Sequence, residues 1–382
     1  MYRNAGSEDI MSELMRWVEV DASAAARNLQ FFKKRAPRVM AVVKAECYGH
    51  GRALARVFED AGADWLAAAA FSEARDLRAD GITIPILVLG QVEAEDAAAA
   101  AALGVTLEVG SEEFASALSR EAVRAGVAVD CHLKLDTGMG RIGFDVTRPD
   151  VLDAIERTCA LPGLRFTGVF QHFAVADEAA PESDAFTRTQ FDRFTGTLDA
   201  LRARGITFPL RHCCNSAAAL RFPEYALDMV RAGISLYGLP AGDAGAPGLE
   251  PVLAWKARVT QVKRILPGQS VSYGREFVAE RPTDVATVSL GYADGYRRLL
   301  AGKGCALIRG KRARLLGRVC MDQIMLDVTG IGAETGDEAV FIGRSGEDEL
   351  TCTEMARALG TIEYEVTCLI GGRCARVMHR GG

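Results

Sequence analysis

Short apolar runs rich in β-branched residues alternate with alanine-rich amphipathic stretches over roughly the first 240 residues of the chain. Eight of these runs are predicted strands, at Arg38–Val43, Asp64–Ala70, Ile84–Leu89, Val105–Val109, Val129–Leu135, Arg165–Phe170, Leu210–Cys214 and Asp228–Arg231. Most of them precede a helical pattern, such as Arg52–Ala61, Ser72–Asp80 or Glu112–Ala125. Apolar strands that alternate with helices indicate a parallel sheet, and eight such units in about 250 residues predict a (β/α)8 TIM barrel.

A doubly wound open sheet is the alternative arrangement. It would carry a glycine-rich turn of the GxGxxG type after its first strand, whereas the turn at Gly49–Gly51 is GHG. The barrel is therefore the preferred prediction.

The pattern changes near Pro240, where the segment AGDAGAPGLEP begins. Beyond it we predict short strands at Ala257–Ile265, Val285–Leu290, Ala306–Arg309 and Ala339–Ile342, and a single helix at Glu354–Leu359. These elements predict a smaller, mainly antiparallel β domain that follows the barrel.

The domain boundaries follow from these patterns. We expect the barrel over residues 17–245 and the β domain over residues 246–382, with residues 1–16 as a disordered or tag-like extension. The segment Trp17–Asp21 alternates like a strand but precedes the first barrel unit, so it could pair with the β domain.

Composition and charge exclude several classes of protein. The chain has 382 residues, 49% of them hydrophobic and 25% charged, as expected of a soluble globular protein. A net charge of -5 with dispersed lysines and arginines argues against a nucleic-acid or anionic-membrane partner. The first fifteen residues contain no signal-peptide core, and no later run approaches the roughly 18 apolar residues that span a bilayer. We expect a cytoplasmic protein without a metal site, whose ten scattered cysteines are reduced and mostly buried.

Lys44 ends an apolar strand in the sequence VMAVVKAECYGHG. An ammonium group at the tip of a buried strand is costly unless it is paired, neutralised or converted, and a Schiff base with an aldehyde cofactor converts it. A lysine that marks the strand end and extends into solvent is the simpler interpretation of Lys44 taken alone.

Active sites of barrels lie at the C-terminal ends of the strands, and polar residues recur there. They are Lys44 after the first strand, Lys134, Asp136 and Arg141 at and beyond the fifth, His172 beyond the sixth, Asn215 and Ser216 beyond the seventh, and Arg231, Gly233 and Ile234 at and beyond the eighth. The loops after strands seven and eight commonly hold a phosphate. The sequence therefore predicts a barrel that binds a phosphorylated cofactor, with a lysine at the same end.

Each of these residues also has a purely structural interpretation. His172 could be an imidazole bonded to backbone, Arg141 a surface ion pair, and Asn215 with Ser216 a helix N-cap. Arg231 is harder to explain in this way, because a guanidinium in an apolar strand requires partners. The recurrence of such residues at successive strand ends favours a functional site.

The chain resembles the alanine racemases in a series of motifs that occur in the family's order. They are VVKAECYGHG, KLDTGMGRIG, QHFAVADE, CNSAAAL, VRAGISLYG, VSYGREF, LGYADGYRR, GRVCMDQIMLDVT and IEYEV, between Trp17 and about Arg376. The resemblance implies a pyridoxal 5'-phosphate enzyme that interconverts L- and D-alanine and supplies D-alanine for peptidoglycan. A homodimer with shared active sites is implied as well.

The resemblance also implies roles for individual residues. Lys44 would form the Schiff base, and Arg231 would face the pyridine nitrogen with His172 behind it. Arg141 would contact the cofactor hydroxyl and the substrate carboxylate. The phosphate would be bound at the strand-end loops and by two tyrosines, through Tyr48, Ser216, Gly233, Ile234 and Tyr364. Asn215 would be a further cofactor-binding residue. The other subunit would contribute Tyr273, Met321, Cys320 and Asp322.

Racemisation needs two acid/base groups on opposite faces of the α-carbon, and Lys44 and Tyr273 are the implied pair. A tyrosine is a weak base at neutral pH, so a cation such as Arg141 or Arg318 is expected near the Tyr273 hydroxyl. Arg231 in place of a carboxylate would disfavour protonation of the cofactor ring and so restrain transamination.

Two departures from the family's pattern stand out, at Glu46–Cys47 and in the C-terminal stretch IGGRCARV, where the family more often has a Ser-x-Arg-Val-Pro-Arg run. Glu46 and Cys47 occupy positions where the family usually has Asn-Ala, which alters the charge near Lys44. Lys134 matches a position that is carbamylated in some members, and the alternative is an unmodified lysine paired with a nearby acid.

Other functions remain possible at this point. A cofactor carrier would end near residue 240, and a decarboxylase for basic amino acids would need a CESGD-like motif that is absent from the chain. Within the racemases, a serine or broad-specificity enzyme is the nearest competitor. The bulky residues Tyr364 and Met321 favour alanine, because they would close the pocket around a methyl group.

Overall fold

The computed structural model describes residues 3–4 and 13–379, which fall into two compact units. One unit comprises residues 25–47 and 52–250, and we call it the barrel unit. The other, which we call the β unit, comprises the described parts of residues 1–24 together with 48–51 and 251–379. Of the extension predicted over residues 1–16, only 3–4 and 13–16 lie among the described residues.

The barrel unit contains one parallel sheet of eight main strands. We number them β1 (Val39–Val42), β2 (Trp65–Ala68), β3 (Ile86–Val88), β4 (Val105–Val109), β5 (Val129–Asp136), β6 (Leu164–Phe170), β7 (Leu210–His212) and β8 (Val230–Ala232). Their order in the sheet is β7-β6-β5-β4-β3-β2-β1-β8, and a two-residue strand at Phe144–Asp145 adds to β5.

The sheet nearly closes on itself. Its end strands are joined by two backbone hydrogen bonds, from Asp228 N–H to the Arg211 carbonyl (3.1 Å) and from Arg231 N–H to the Cys214 carbonyl (2.9 Å). Every residue of β1, β3 and β4 is buried, as expected of barrel strands that are covered on both sides. The predicted (β/α)8 barrel is therefore confirmed.

Helices follow the strands along the chain, and the longer ones begin and end with ordinary capping signals. Ser111 accepts a hydrogen bond from the Phe114 N–H (3.2 Å) at the start of one helix, and Gly126 ends the same helix in a left-handed conformation. The α-helices up to residue 250 are Ala22–Lys33, Leu54–Asp60, Phe71–Ala79, Ala97–Leu103, Glu112–Ala125, Val151–Cys159, Pro181–Ala203 and Ser216–Arg221.

The β unit is organised around one long strand, Leu253–Ile265, which pairs antiparallel with three neighbours. These are Arg16–Asp21, Thr283–Val288 and Glu338–Ser345. The remaining strands are Arg3–Asn4, Ser270–Val271, Phe277–Val278, Cys305–Ile308, Lys311–Arg314, Ile324–Asp327, Asp348–Leu350 and Ala375–His379. The pairing of Trp17–Asp21 with the second domain, left open by the sequence, is thus confirmed.

Two helices lie in the β unit, Cys352–Leu359 and Glu363–Cys368. The prediction of a single helix in this domain was wrong, because the sequence IEYEV at the start of the second helix alternates apolar and polar residues, a pattern typical of a strand. The second helix matters for the site, since it carries Tyr364.

All ten cysteines are free thiols, and six of them are buried, in agreement with the expectation of reduced and mostly buried thiols. Among the described residues, no helix has the length and apolarity needed to cross a membrane.

Candidate active site

Lys44 lies two residues beyond β1, at the start of a left-handed turn. The four residues after it, Ala45 to Tyr48, all have φ between 52° and 54°, a conformation that costs an L-residue about 1–2 kcal/mol. The turn is held by a hydrogen bond from Cys47 N–H to the Val43 carbonyl (2.9 Å) and by Glu73, whose carboxylate accepts from the Ala45 N–H (2.7 Å). Lys44 is therefore placed by a turn that the surrounding structure stabilises.

Glu46 and Cys47 are the two residues that depart from the family's pattern near Lys44. Neither adds an uncompensated charge there. The Glu46 carboxylate is exposed and lies 3.3 Å from the Arg52 guanidinium, which compensates its charge. The Cys47 thiol is buried, and burial raises its pKa, so it remains a neutral thiol.

Arg231 on β8 has only 3% of its surface exposed, and its hydrogen bonds come from the two terminal nitrogens. Nη1 donates to His212 Nδ1 (3.0 Å) and to the His212 carbonyl (2.9 Å). Nη2 donates to the carbonyls of Gln171 (2.7 Å) and Cys213 (3.0 Å) and lies 3.3 Å from His172 Nδ1. Burial lowers the pKa of Arg231 to about 10, so the group stays charged at neutral pH.

The partners of Arg231 are all neutral acceptors at the ends of β6 and β7. The guanidinium is thus a buried cation without a carboxylate among its hydrogen-bond partners in the described residues. None of those bonds uses Nε, so one N–H of the fork has no acceptor in the described part of the chain. The sequence predicted that Arg231 must have partners but did not identify His212 as one.

His172 lies at the centre of a positive region. Its pKa is well below the ordinary value, first because of burial and then because of the charges of Arg231, Arg141, Lys134 and Lys44. His172 is therefore neutral, and four cations of the barrel unit act on the same imidazole. A concentration of positive charge of this kind is suited to an anion.

Arg141 is exposed, and its guanidinium makes no ion pair or hydrogen bond with the residues that the structure describes. The interpretation of Arg141 as an ordinary surface ion pair therefore lacks a partner within this described part of the chain. Its charge nevertheless acts on His172, Lys134 and Arg231, which places it near the C-terminal ends of the strands.

Lys134 on β5 is 2% exposed and points into the same region. Its ammonium donates to the carbonyls of Leu135 (2.7 Å) and Ile142 (3.3 Å), rather than to the acid that the sequence led us to expect. Burial lowers its pKa to about 8. Two acids act on it through charge, Asp136 and then the buried Glu108 on β4, and burial raises the pKa of Glu108 to about 7. Sequence inspection missed Glu108, because VTLEV has the composition of an ordinary strand.

A buried amide network joins the loop after β5 to the end of β6. Gln190, on the helix Pro181–Ala203, donates to Thr137 Oγ1 (3.1 Å) and to the His172 carbonyl (3.1 Å). Thr137 Oγ1 in turn donates to Gln171 Oε1 (3.0 Å). Gln190 is fully buried, and no signal in the sequence distinguished it from a surface glutamine of an amphipathic helix.

The loops after β7 and β8 meet through a direct hydrogen bond, from Gly233 N–H to Ser216 Oγ (2.8 Å). Ser216 and Ile234 are buried. The Asn215 side chain accepts from the Ala218 N–H (2.9 Å), which confirms its structural interpretation as a helix N-cap. The cap fixes the start of the helix Ser216–Arg221 and with it the position of the Ser216 hydroxyl.

Tyr48 and Tyr364 lie together in the β unit, with ring centroids 5.9 Å apart. The segment that carries Tyr48 is held by Arg376, whose Nη2 donates to the Gly49 carbonyl (2.8 Å). Gly49 has a φ of 80°, and a Cβ there would lie 2.0 Å from the Thr367 carbonyl oxygen, so only glycine fits. Arg376 was not among the residues that the sequence suggested.

Tyr273 is 67% exposed and sits on a turn of unusual geometry. Its neighbour Ser272 has a φ of 66°, and the Ser272 hydroxyl donates to the Arg318 carbonyl (2.6 Å). The Arg318 guanidinium, which we expected to act on Tyr273, donates to Glu276 (2.6 Å) instead. Its charge is therefore offset by a carboxylate.

The segment after Arg318 is fastened to the Tyr273 turn. Cys320 Sγ lies 3.6 Å from Ser272 Oγ, while Asp322 accepts from the Arg373 guanidinium (2.7 Å). Met321 is 52% exposed. Tyr273 and Met321 are thus two large side chains of the β unit that lie open to solvent in the isolated chain.

The predicted site residues divide between the two units. Within the barrel unit lie Lys44, Arg141, His172, Asn215, Ser216, Arg231, Gly233 and Ile234, and within the β unit lie Tyr48, Tyr273, Cys320, Met321, Asp322 and Tyr364.

Comparison with known protein families gives a consistent result. A family model described as alanine racemase, N-terminal domain, matches residues 20–241, and one described as alanine racemase, C-terminal domain, matches residues 252–378. The chain is 45% identical over 369 residues to the alanine racemase of Desulforamulus reducens, a match that covers 94% of this chain and 98% of that protein. It is 43% identical to the alanine racemase of Desulfosudis oleivorans, over 97% of this chain and 98% of that one.

Solved structures show the same likeness. The alanine racemase of a D-cycloserine-producing Streptomyces lavendulae has a TM-score of 0.90 at 36% identity, and the match covers 96% of this chain and 98% of that one. The alanine racemase of Bacillus anthracis with bound L-Ala-P has a TM-score of 0.90 at 35% identity, covering 97% of this chain and 96% of that one.

Proposed function

The chain belongs to the alanine racemase family, and we propose that it is an isomerase that interconverts L-alanine and D-alanine with pyridoxal 5'-phosphate as cofactor. In the proposal it works in the cytoplasm as a homodimer and supplies D-alanine for peptidoglycan. The observation that carries the proposal is the group of four cations, Lys44, Lys134, Arg141 and Arg231, that act on His172 in the barrel unit. Such a group matches the charge of a phosphorylated cofactor and of an amino-acid carboxylate.

The donors of the barrel unit fit the proposed cofactor. Lys44 would hold it covalently through Nζ, as an amine next to a turn of fixed geometry. The phosphate would be bound by Ser216 and by the backbone around Gly233 and Ile234, with the hydroxyls of Tyr48 and Tyr364 as further donors. Asn215 would act through the helix cap that positions Ser216.

The orphaned Nε–H of Arg231 supports this assignment. All hydrogen bonds of the guanidinium to described residues come from Nη1 and Nη2, so Nε–H is left to donate to a ring nitrogen. A charged donor at that position would favour an unprotonated, accepting ring nitrogen. His172, held neutral beside it, adds no charge.

Pyridoxal phosphate supplies the electron sink that makes the α-proton of an amino acid acidic. Lys44 and Tyr273 would then exchange that proton at Nζ and Oη on opposite faces of the α-carbon. Arg141, whose guanidinium has no partner in the described part of the chain, would bind the substrate carboxylate. Because Arg231 disfavours a protonated ring, reprotonation at the α-carbon is favoured over transamination.

The residues Cys320, Met321 and Asp322 would bound the side-chain end of the substrate. Met321 is a large apolar side chain that is exposed in the isolated chain, and covering a methyl group with it is favourable. A serine hydroxyl in the same place would need a polar partner. We therefore expect alanine to be preferred over serine.

The first test is a spectrum followed by a chirality assay on alanine and on serine. A visible absorption band that borohydride removes, together with racemisation of alanine faster than serine, is the expected result. Absence of the band, or a preference for serine, would contradict the proposed cofactor or the proposed substrate respectively.

Each site is proposed to draw on two chains, with Lys44 from one and Tyr273 from the other. Lys44→Ala and Tyr273→Phe enzymes should each be inactive. When unfolded together and refolded at equal concentration, they should form mixed dimers in which one site has both intact residues, so roughly a quarter of the wild-type site density returns. Activity that stays at the level of the separate variants, although mixed dimers form, would mean that Tyr273 does not act across the interface.

A further inference from the structure

We propose that His132, which lies in the barrel interior on β5 and is separated from Arg231 on β8 by two strands, is a positioning residue that fixes Arg231 through His212. The proposal deepens the proposed function, on which its catalytic consequence rests. Its structural part concerns the location of two protons and can be tested without reference to activity.

The three side chains form a continuous line of hydrogen bonds. Arg231 Nη1 lies 3.0 Å from His212 Nδ1, and His212 Nε2 lies 2.9 Å from His132 Nδ1. His132 and His212 are fully buried, and Arg231 is 3% exposed. The line therefore runs through the inside of the barrel, from β8 through the end of β7 to β5.

The chemistry of arginine determines which nitrogen carries each proton. A guanidinium can only donate, so His212 Nδ1 must be the acceptor. A neutral His212 then carries its proton on Nε2 and donates it to His132 Nδ1. A neutral His132 must in turn carry its proton on Nε2. Each hydrogen bond of the line is thus donated in the same direction, from Arg231 toward His132.

Burial supports the neutral state that this assignment requires. It lowers the pKa of His132 to about 3 and places the pKa of His212 well below its ordinary value. The charge of Arg231 acts in the same direction on both imidazoles, and Asp130 opposes it only at His132.

Packing fixes the orientation of the His132 and His212 rings. The His212 ring stacks on Phe170 with centroids 5.0 Å apart and planes within 2°, and the His132 ring lies 5.1 Å from Trp65. A Cβ at residue 168 would lie 2.6 Å from His132 Nε2, so the His132 ring fills the space that a side chain at Gly168 would need. His132 Nε2 has no hydrogen-bond partner in the described part of the chain, and the line of donors ends there.

The role of His132 follows from this arrangement. Its Nδ1 gives His212 an acceptor for Nε2–H, and His212 is thereby held in the orientation in which Nδ1 accepts from Arg231. Without that acceptor, the buried Nε2–H of His212 has no partner, and the ring gains by turning away from its place between Arg231 and residue 132. The guanidinium would then lose its fixed orientation toward the cofactor.

The wild-type holoenzyme provides the first measurement, by nitrogen NMR of histidine-labelled full-length protein, which has only five histidines. We expect the buried imidazoles of His132 and His212 to stay neutral between about pH 5 and 9, both protonated on Nε2. A proton on Nδ1 of either His132 or His212, or a charged form of either at neutral pH, would overturn the proposal. This result is independent of whether the enzyme racemises alanine.

The variants His132→Leu and His132→Asn provide the second measurement. Asn keeps an acceptor close to the position of Nδ1, whereas Leu removes it at similar size. Relative to wild type, we expect His132→Leu to bind pyridoxal phosphate about tenfold more weakly and to exchange the His212 Nε2–H with solvent faster, while His132→Asn stays within about twofold in affinity.

Equal cofactor affinities for His132→Leu and His132→Asn, with unchanged exchange of the His212 Nε2–H, would contradict the positioning role. If His132→Leu does not fold, the tautomers of the wild type and of His132→Asn still decide the question. Correct tautomers in an enzyme that fails to racemise alanine would leave this inference standing and overturn the proposed function instead.

Discussion

Arg231 in the barrel unit and Tyr273 in the β unit are held in opposite ways. Arg231 is 3% exposed and donates to five acceptors of its own chain, whereas Tyr273 is 67% exposed on a turn where Ser272 and Arg275 both have positive φ. One chain is therefore enough to fix the position of the guanidinium. The tyrosine lies open in the isolated chain, which is what the proposed sharing of each site between two chains requires.

The largest expected effect follows from removal of the Lys44 amine in the barrel unit. Lys44→Ala should lower kcat/KM by at least about a thousandfold, since both the covalent attachment and one proton-transfer group are removed. The melting temperature should change little, because the lysine lies beyond the buried part of β1. Racemisation at a comparable rate in this variant would show that Lys44 is not the reactive lysine.

Substitution of Arg231 tests how its charge affects the reaction. Arg231→Glu should raise the amount of pyruvate formed per racemisation event, since a carboxylate favours a protonated cofactor ring. The variant should also be less stable by about 3–5 kcal/mol, because Gln171, His212 and Cys213 would present acceptors to a carboxylate.

Arg231→Lys is the matched control, since it keeps the positive charge and loses the fork geometry. It should bind the cofactor less well without raising the share of pyruvate. An equal pyruvate share in Arg231→Glu, Arg231→Lys and wild type would remove the proposed reason for an arginine at this position.

A smaller effect concerns the dependence of stability on pH. His132, His172 and His212 have pKa values lowered from 6.5, so their neutral forms stabilise the fold above pH 6.5, and this contribution is lost as the pH falls. Glu108, with a pKa raised from 4.5 to about 7, acts in the opposite sense between those values. Three histidines against one glutamate leave a net difference of about two protons. The free energy of unfolding should therefore fall by up to about 2.7 kcal/mol per pH unit between pH 6.5 and 4.5.

Glu108→Gln is the control for this slope. It removes the opposing group at equal size, so the slope should increase toward about 4 kcal/mol per pH unit. Chemical denaturation at half-unit intervals of pH measures both slopes. An unchanged slope in Glu108→Gln would show that Glu108 is already ionised in the native protein.

The smallest effect is expected at the residue that departs most visibly from the family's pattern. Glu46→Asn should change the free energy of unfolding by less than about 0.5 kcal/mol and kcat/KM by less than about twofold, because the side chain is exposed and Arg52 retains Asp76 and Asp80. Glu73→Gln, in the same region, is the contrasting variant. It should cost about 1–3 kcal/mol, since the Glu73 carboxylate accepts from the N–H groups of Ala45 and Ala69. A larger loss of activity in Glu46→Asn than in Glu73→Gln would reverse this ranking.

The sequence predicts those parts of the molecule whose signals are local. The barrel strands appear as apolar runs, and Lys44, His172 and Arg231 stand out because each polar residue follows such a run. The order of the strand ends then predicts that these residues lie near one another.

The contacts that fix the site are not local, and the sequence contains no signal for them. His132 bonds to a histidine 80 residues away, and Gln190 bonds to a threonine 53 residues away. The sequence around His132 is that of an ordinary strand, and the sequence around Gln190 is that of an ordinary helix. The left-handed turn after Lys44 was equally hidden, because none of the residues from Ala45 to Tyr48 is a glycine or an asparagine.

That turn also limits which mutations the chain can tolerate. Proline is excluded from positions 45–48, since its ring fixes φ near -65°, and valine, isoleucine or threonine would be severely strained at a φ of 52–54°. Glycine would fit each position, but it would give the unfolded chain more conformations to lose on folding. We therefore expect random substitution at the exposed positions Ala45 and Glu46 to be tolerated far less than at other surface positions, with the accepted residues limited by backbone handedness rather than by side-chain chemistry.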